Sequence, residues 1–170
     1  MAQYFNNDID VLNYALTLEH LEAEFYRQAV ASGKLQGDVL NDFNTIKSHE
    51  EAHVTGLTQA ITNAGGTPVK ARASYDFSVL GDMNSQDGLL KIAGTLEPVG
   101  VMAYDGAAPD IQNKDYLTTA GSIVQVEARH AAVIRARMDP NANPVPNAFE
   151  GTMTPQQVLD TVSPILGPEQ

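Results

Sequence analysis

Apolar residues recur three and four positions apart along four long stretches of the chain, the spacing that lines them up on one face of an α-helix. The first stretch opens at Asn6-Asn7-Asp8, with capping side chains and acids at Asp8 and Asp10, and closes at Ser32-Gly33, where Gly33 ends the helix. Its inward stripe is Leu12, Ala15, Glu19, Glu22, Tyr26 and Ala29. The second runs from near Asp38 to Ala64-Gly65-Gly66, with the stripe Phe43, Ile46, Glu50, His53, Leu57 and Ala60. The third starts at Ser85 and fades near Ala107-Ala108-Pro109, with the stripe Leu90, Ala93, Glu97, Gly100, Tyr104 and Ala107. Pro98 falls inside it and is expected to kink the helix or open a turn. The fourth begins around Asn113 and ends at Met138-Asp139-Pro140, with the stripe Tyr116 (or Leu117), Ala120, Ile123, Glu127, His130 and Ile134.

Between the second and third stretches, from Gly65 to about Asn84, the helical period stops. A connection this long needs a reason inside a compact domain. A bundle supplies one, because a long crossover lets the third helix start at the end where the second also started. After the fourth helix comes an irregular strap, Asp139 to Met153, then a cap-and-proline pair, Thr154-Pro155, that predicts a short helix over about 155–162. No strand pattern of any length occurs. The expected class is all-α, with one domain over 1–170: a four-helix bundle over about 7–138, then the strap and short helix in 139–170.

The stripes are interrupted at their midpoints by groups that do not belong in a core. Glu50-x-x-His53 and Glu127-x-x-His130 each place a carboxylate and an imidazole on one helical face. The halves of the chain also resemble each other. Thr17-Leu18-Glu19 and Tyr26 match Thr95-Leu96-Glu97 and Tyr104, and the interval from Glu19 to Glu50 equals that from Glu97 to Glu127 to within one residue. Antiparallel neighbours bring their midpoints to one level, so the six side chains Glu19, Glu50, His53, Glu97, Glu127 and His130 converge. Unpaired charges there would cost several kcal/mol each, and buried charges are normally paired or bound to metal. Hard carboxylates with imidazoles suit two ions of Fe or Mn, with Zn as a substitute. The expected assignment has Glu50 and Glu127 bridging, Glu19 and Glu97 terminal, and one histidine per metal. Glu22 lies on the stripe where the other half has Gly100; it reads as an extra, movable ligand or as a replacement for Glu19, and the repeat favours Glu19. Tyr26 and Tyr104 lie two turns, about 10 Å, beyond the terminal glutamates. They can hydrogen-bond ligands, donate electrons, or simply fill the core. Glu24 and Glu51 fall off the stripes and read as solvated, and His20 and His49 as surface or supporting groups.

Composition narrows this further. With 170 residues, 43% of them hydrophobic, the chain can build one proper core. It has no cysteine, which removes disulfides, thiolate metal sites and iron–sulfur clusters. A net charge of -11 argues against binding the backbone of DNA or RNA. No apolar run is long enough to span a membrane, and the opening residues lack the shape of a signal peptide. The chain as it stands reads as cytoplasmic, or as exported if a leader has been removed.

The segment Asn-Asp-Ile-Asp-Val-Leu-Asn-Tyr-Ala-Leu-Thr-Leu-Glu-His-Leu-Glu-Ala-Glu-Phe-Tyr at the start resembles the stress-response and desiccation-related family of ferritin-like domains. Thr-Leu-Glu-Pro-Val-Gly-Val-Met-Ala-Tyr and Thr-Pro-Gln-Gln-Val-Leu reinforce the resemblance, which covers essentially the whole chain. It implies a ferritin-like four-helix bundle with a di-iron or di-manganese centre. Rubrerythrins are similar in the two Glu-x-x-His motifs and in a Glu three residues after a terminal Glu, but there that spacing sits in the other half. Manganese catalases share the order of ligands and need no electron donor. The implied function is an oxidoreductase, of peroxidase, catalase or oxidase type, acting on O2 or hydrogen peroxide in oxidative-stress protection, with an external electron donor where electrons are consumed. The alternatives are iron or manganese sequestration without turnover, and a structural stress protein held together by the metals. By analogy with related bundles, a homodimer is expected.

Overall fold

A computed structural model describes residues 4–168, and among these the chain is helical with no strand. Four long helices form: α1 (Asp8–Ala31), α2 (Gly37–Asn63), α3 (Gln86–Ala107) and α4 (Lys114–Met138), followed by a short α5 (Pro155–Val162). Their starts are set by side-chain caps. Asn7, Ser85, Asn113 and Thr154 each accept a bond from a backbone N–H of the first turn, and Thr154 with Gln157 completes a capping box. At the end of α1, Gly33 takes a φ of 69°, as the terminator of that helix was expected to. α3 runs unbroken through Pro98, so no turn opens there, although the proline removes the N–H that would bond the Gly94 carbonyl.

The helices pack as two hairpins, α1 with α2 and α3 with α4, and the hairpins meet mainly along α1–α3 and α2–α4. Tyr26 and Tyr104 each reach the glutamate of the other's helix, Glu97 and Glu19, which fixes α1 and α3 as antiparallel. The chain therefore has to travel the length of the bundle between α2 and α3. That crossover is ordered. Asn13 of α1 holds it from both sides, donating to the Thr67 carbonyl and accepting from the Val69 N–H at 2.7 Å. Phe77, in a single turn of 3-10 helix, is buried in the core. The tail beyond α5 clips to it through Asp76 N–H to Ile165, Gly167 N–H to Ser74 and an isolated bridge between Tyr75 and Leu166.

The core is divided into two apolar layers with a charged layer between them. At one end the rings of Phe25, Tyr26, Phe43 and Phe77 pack edge-on or tilted at separations of 5.0–6.3 Å, joined by Leu89, Ile134 and by Val158 and Val162 of α5. At the other lie Leu12, Leu16, Leu57, Ile61, Ala120 and Ile123. On α4 the stripe passes through Tyr116, half-buried against this second layer, while Leu117 is exposed.

The strap is tied down at its end by the Met153 N–H, which bonds the Met102 carbonyl at 3.0 Å. This close approach depends on Gly106, where an added Cβ would sit 1.9 Å from the Met153 carbonyl oxygen. Gly106→Ala is expected to lower stability by about 1–3 kcal/mol, overriding the gain of up to about 1 kcal/mol that alanine normally brings to a helix. A urea midpoint equal to that of the native chain would contradict this docking.

Candidate metal centre

All six predicted ligands meet in the charged layer. Glu19, Glu50, Glu97, Glu127 and His130 are buried, and the His53 side chain is 10% exposed. Each glutamate sits within about a residue of the middle of its helix, so antiparallel packing brings all four to one level. The donor atoms sort into two groups, each spanning no more than 4.8 Å: Glu19, Glu50, His53 and Glu127, and Glu50, Glu97, Glu127 and His130. Glu50 and Glu127 belong to both.

The layer is poor in protein hydrogen bonds. Glu50 Oε1, Glu97 Oε2, both oxygens of Glu127 and His130 Nδ1 are buried without a partner. His130 Nδ1 lies 2.9 Å from Glu50 Oε1 and 3.4 Å from Glu97 Oε2, yet off the line that N–H donation requires. These atoms thus cluster without protein donors to satisfy them. Orphaned buried polar atoms cost about 1–3 kcal/mol each, more when charged. Four carboxylates and two imidazoles are the donor set that a pair of divalent Fe, Mn or Zn ions takes, and two such ions cancel the four charges. The residues fit the metals.

Without a cation, protons take over that role. Burial pushes Glu19 up to about 7, with the Glu50 charge adding to the rise and His53 opposing it. Burial also raises Glu97 and Glu127, with Glu50 again contributing. Glu50 moves the other way, to about 2, because the adjacent His130 and His53 imidazoles outweigh its burial. Burial alone would lower both imidazoles. Contacts with Glu127, Glu19 and Glu50 instead hold His53 up at about 12, and Glu50 and Glu97 hold His130 at about 10.

A family model described as a ferritin-like domain matches residues 7–139. The chain belongs to the ferritin-like domain family. Among solved structures, a conserved hypothetical protein, rv2844, from Mycobacterium tuberculosis is similar, with a TM-score of 0.67 and 17% identity over 75% of this chain and 93% of that one. At that identity the likeness concerns the fold. No curated protein matches the chain in sequence.

The ferritin-like domain places the remaining candidates around this centre. Tyr26 donates to Glu97 and Tyr104 to Glu19, so each tyrosine supports the carboxylate of the opposite half. Glu22 is buried but lies outside both donor groups, and Glu19 stands in the position on α1 that the repeat favoured. Burial, then the charges of Glu127 and Glu97, raise the Glu22 carboxyl well above its usual range. The space it occupies exists because of Gly100, where a Cβ would lie 3.2 Å from Glu22 Oε1. Val162 of α5 closes the α1–α3 side near Glu22. The opposite side, between α2 and α4, opens into a cleft of about 320 Å³ lined by His49, His53 and His130 with Asp42, Val126 and Arg129. Glu51 is exposed as expected, while Glu24 is half-buried and bonded by Arg27 and Gln28. His20 contacts the Val69 carbonyl of the crossover. Sequence reading did not foresee the exchange of tyrosines between halves or the bond between His49 and His130. The first was accessible in principle: a tyrosine two turns past a central glutamate, its side chain leaning back toward the helix N-terminus, comes level with the opposite glutamate of an antiparallel partner.

Proposed function

We propose that this ferritin-like domain is a dinuclear iron or manganese oxidoreductase that reacts with O2 or hydrogen peroxide and serves in protection against oxidative stress. The observation that carries the reading is the pair of buried donor groups sharing Glu50 and Glu127, in which Glu50 Oε1, Glu97 Oε2, both Glu127 oxygens and His130 Nδ1 are left unbonded by protein. Glu19, Glu50, His53 and Glu127 would hold one ion, and Glu50, Glu97, Glu127 and His130 the other. Bound there, iron or manganese would supply one-electron redox steps and Lewis acidity toward a small oxygen species.

The chain's own groups do the rest. Tyr26 and Tyr104 fix the orientation of Glu97 and Glu19 by donating to them. Glu22 lies on the closed side with a carboxyl that burial and the neighbouring glutamates raise well above its usual range in the metal-free chain, placed to hold a proton there or to move in as an additional ligand. The apolar layers above and below exclude bulk water, and the α2–α4 cleft admits a diatomic or peroxide past the histidines. Disproportionation of peroxide to water and O2 needs no electron donor, which suits a chain with no cysteine to hold a relay. Oxidase or peroxidase turnover would draw on an external donor.

The test is peroxide added to iron- or manganese-loaded protein. Catalysed consumption at about 1 s⁻¹ or faster per centre, with O2 evolved and both lost in Glu127→Gln, is the expected result. Metal uptake without turnover would replace catalysis by sequestration. Unfolding on chelation, again without turnover, would leave the metals a purely structural role.

A further inference from the structure

The two halves that build the centre differ next to it. The residue before Glu50 is His49, whereas the residue before Glu127 is Val126, and both line the α2–α4 cleft. His49 Nδ1 lies 2.9 Å from His130 Nε2, with the two rings stacked at a centroid distance of 5.2 Å and 12° between planes. No described residue makes the corresponding bond to His53 Nε2. Valine, at the matching place in the repeat, has no polar atom with which to make it.

An imidazole ligates a metal through one nitrogen only when its proton rides on the other. For His130, whose Nδ1 faces Glu50 and Glu97, that proton belongs on Nε2, and His49 Nδ1 is the acceptor that keeps it there. His53 Nδ1 has Glu19 Oε2 and Glu50 Oε2 each at 3.2 Å, and no described group on its Nε2 selects which nitrogen faces a cation.

Resting on the dinuclear reading above, we propose that His49 is a positioning residue. By fixing the tautomer and orientation of His130, it makes the two metal positions unequal. The position formed by Glu50, Glu97, Glu127 and His130 fills first and more tightly, and the one with Glu19 and His53 fills second.

The experiment is anaerobic titration of the metal-free full chain with Mn(II), followed by electron paramagnetic resonance. In the native chain the first equivalent should give the spectrum of isolated Mn(II), and the second should convert it to that of an exchange-coupled pair. His49→Phe removes the acceptor and should weaken the first step about 10–100-fold, bringing it toward the second. His49→Asn offers Oδ1 near the place of Nδ1 and should keep the first step within about threefold of native. A coupled spectrum from the first addition, a first step unchanged in His49→Phe, or equal losses in the Phe and Asn variants would each overturn the role of His49 while leaving the dinuclear centre standing. A native chain that takes up no Mn(II) would instead overturn the centre itself.

Discussion

Replacing Glu50 or Glu127 with alanine should abolish binding of both metals, taking the content from about two ions per chain to almost none, whereas Glu19→Ala and Glu97→Ala should each retain about one. The distinction follows from membership. Glu50 and Glu127 belong to both donor groups, and Glu19 and Glu97 to one each. Elemental analysis after loading and desalting reads the outcome directly. Glu127→Gln separates loss of binding from loss of fold, because it keeps the shape while removing a charge. Both Glu127 oxygens are buried without partners, and the other carboxylates repel it. The metal-free Glu127→Gln protein should therefore melt no lower than metal-free native chain, although it binds no metal. Four variants that lose metal equally would refute the shared-ligand arrangement. A native chain that stays folded and free of metal under every loading condition would refute the centre.

The second large effect is an inverted dependence of stability on pH. Folding raises Glu19 to about 7 and also raises Glu22, Glu97 and Glu127, so these carboxyls favour the fold fully only below their unfolded range near 4.5. That contribution is lost as pH climbs through their folded values. His53 and His130, raised to about 12 and 10 from 6.5, act in the same direction, since above 6.5 the folded chain holds protons that the unfolded chain has released. Within the charged layer Glu50, at about 2, acts oppositely, its contribution being lost below 4.5, and outside it His20 and His49, both lowered by burial, oppose the trend more weakly. The metal-free protein should thus lose stability between about pH 5 and pH 8. Metal reverses the trend, because the cations displace those protons and bind more tightly as pH rises. At a thousandfold excess over Kd each ion adds about 4 kcal/mol, which for a domain of this size is a rise in Tm on the order of 10 °C. Thermal melts with and without chelator should diverge steadily across that range. A gap that stays constant with pH would mean that protons and metals do not compete for the same atoms.

Much of this protein was legible from the order of its residues because its signals are periodic and repeated. Asn7, Ser85, Asn113 and Thr154 cap helices where capping chemistry predicted, and the stripes are buried as patterned. The convergence of six candidate ligands followed from their placement at helix midpoints, which is a statement about length alone. What the sequence withheld depends on side-chain reach and on the relation between hairpins. Which helix Tyr26 would touch depends on the direction of α3, and Tyr116 and Leu117 compete for the stripe because they differ in helical phase by only one residue. His49 looked peripheral since it stands one step off the inward face, yet the sparse packing between α2 and α4 lets it lean across to His130. Pro98 signalled a kink or an opened turn; no turn opens, and α3 continues through it with Leu96, Glu97, Gly100 and Val101 buried on either side.

The sharing of Glu50 and Glu127 has a consequence for how the two hairpins recognise each other. Each hairpin contributes three donors to its own group and takes the fourth from its neighbour, so neither half can complete a coordination sphere alone. In the language of multivalent binding, ions bound there would act as a bidentate glue, with the crossover a tether that keeps the local concentration of the second half high. A chain cut within that tether would behave as two partners joined by the shared apolar layers, with free metal adding to their affinity. Availability of iron or manganese would then be read out as association, with the ions acting as the signal that closes one hairpin upon the other.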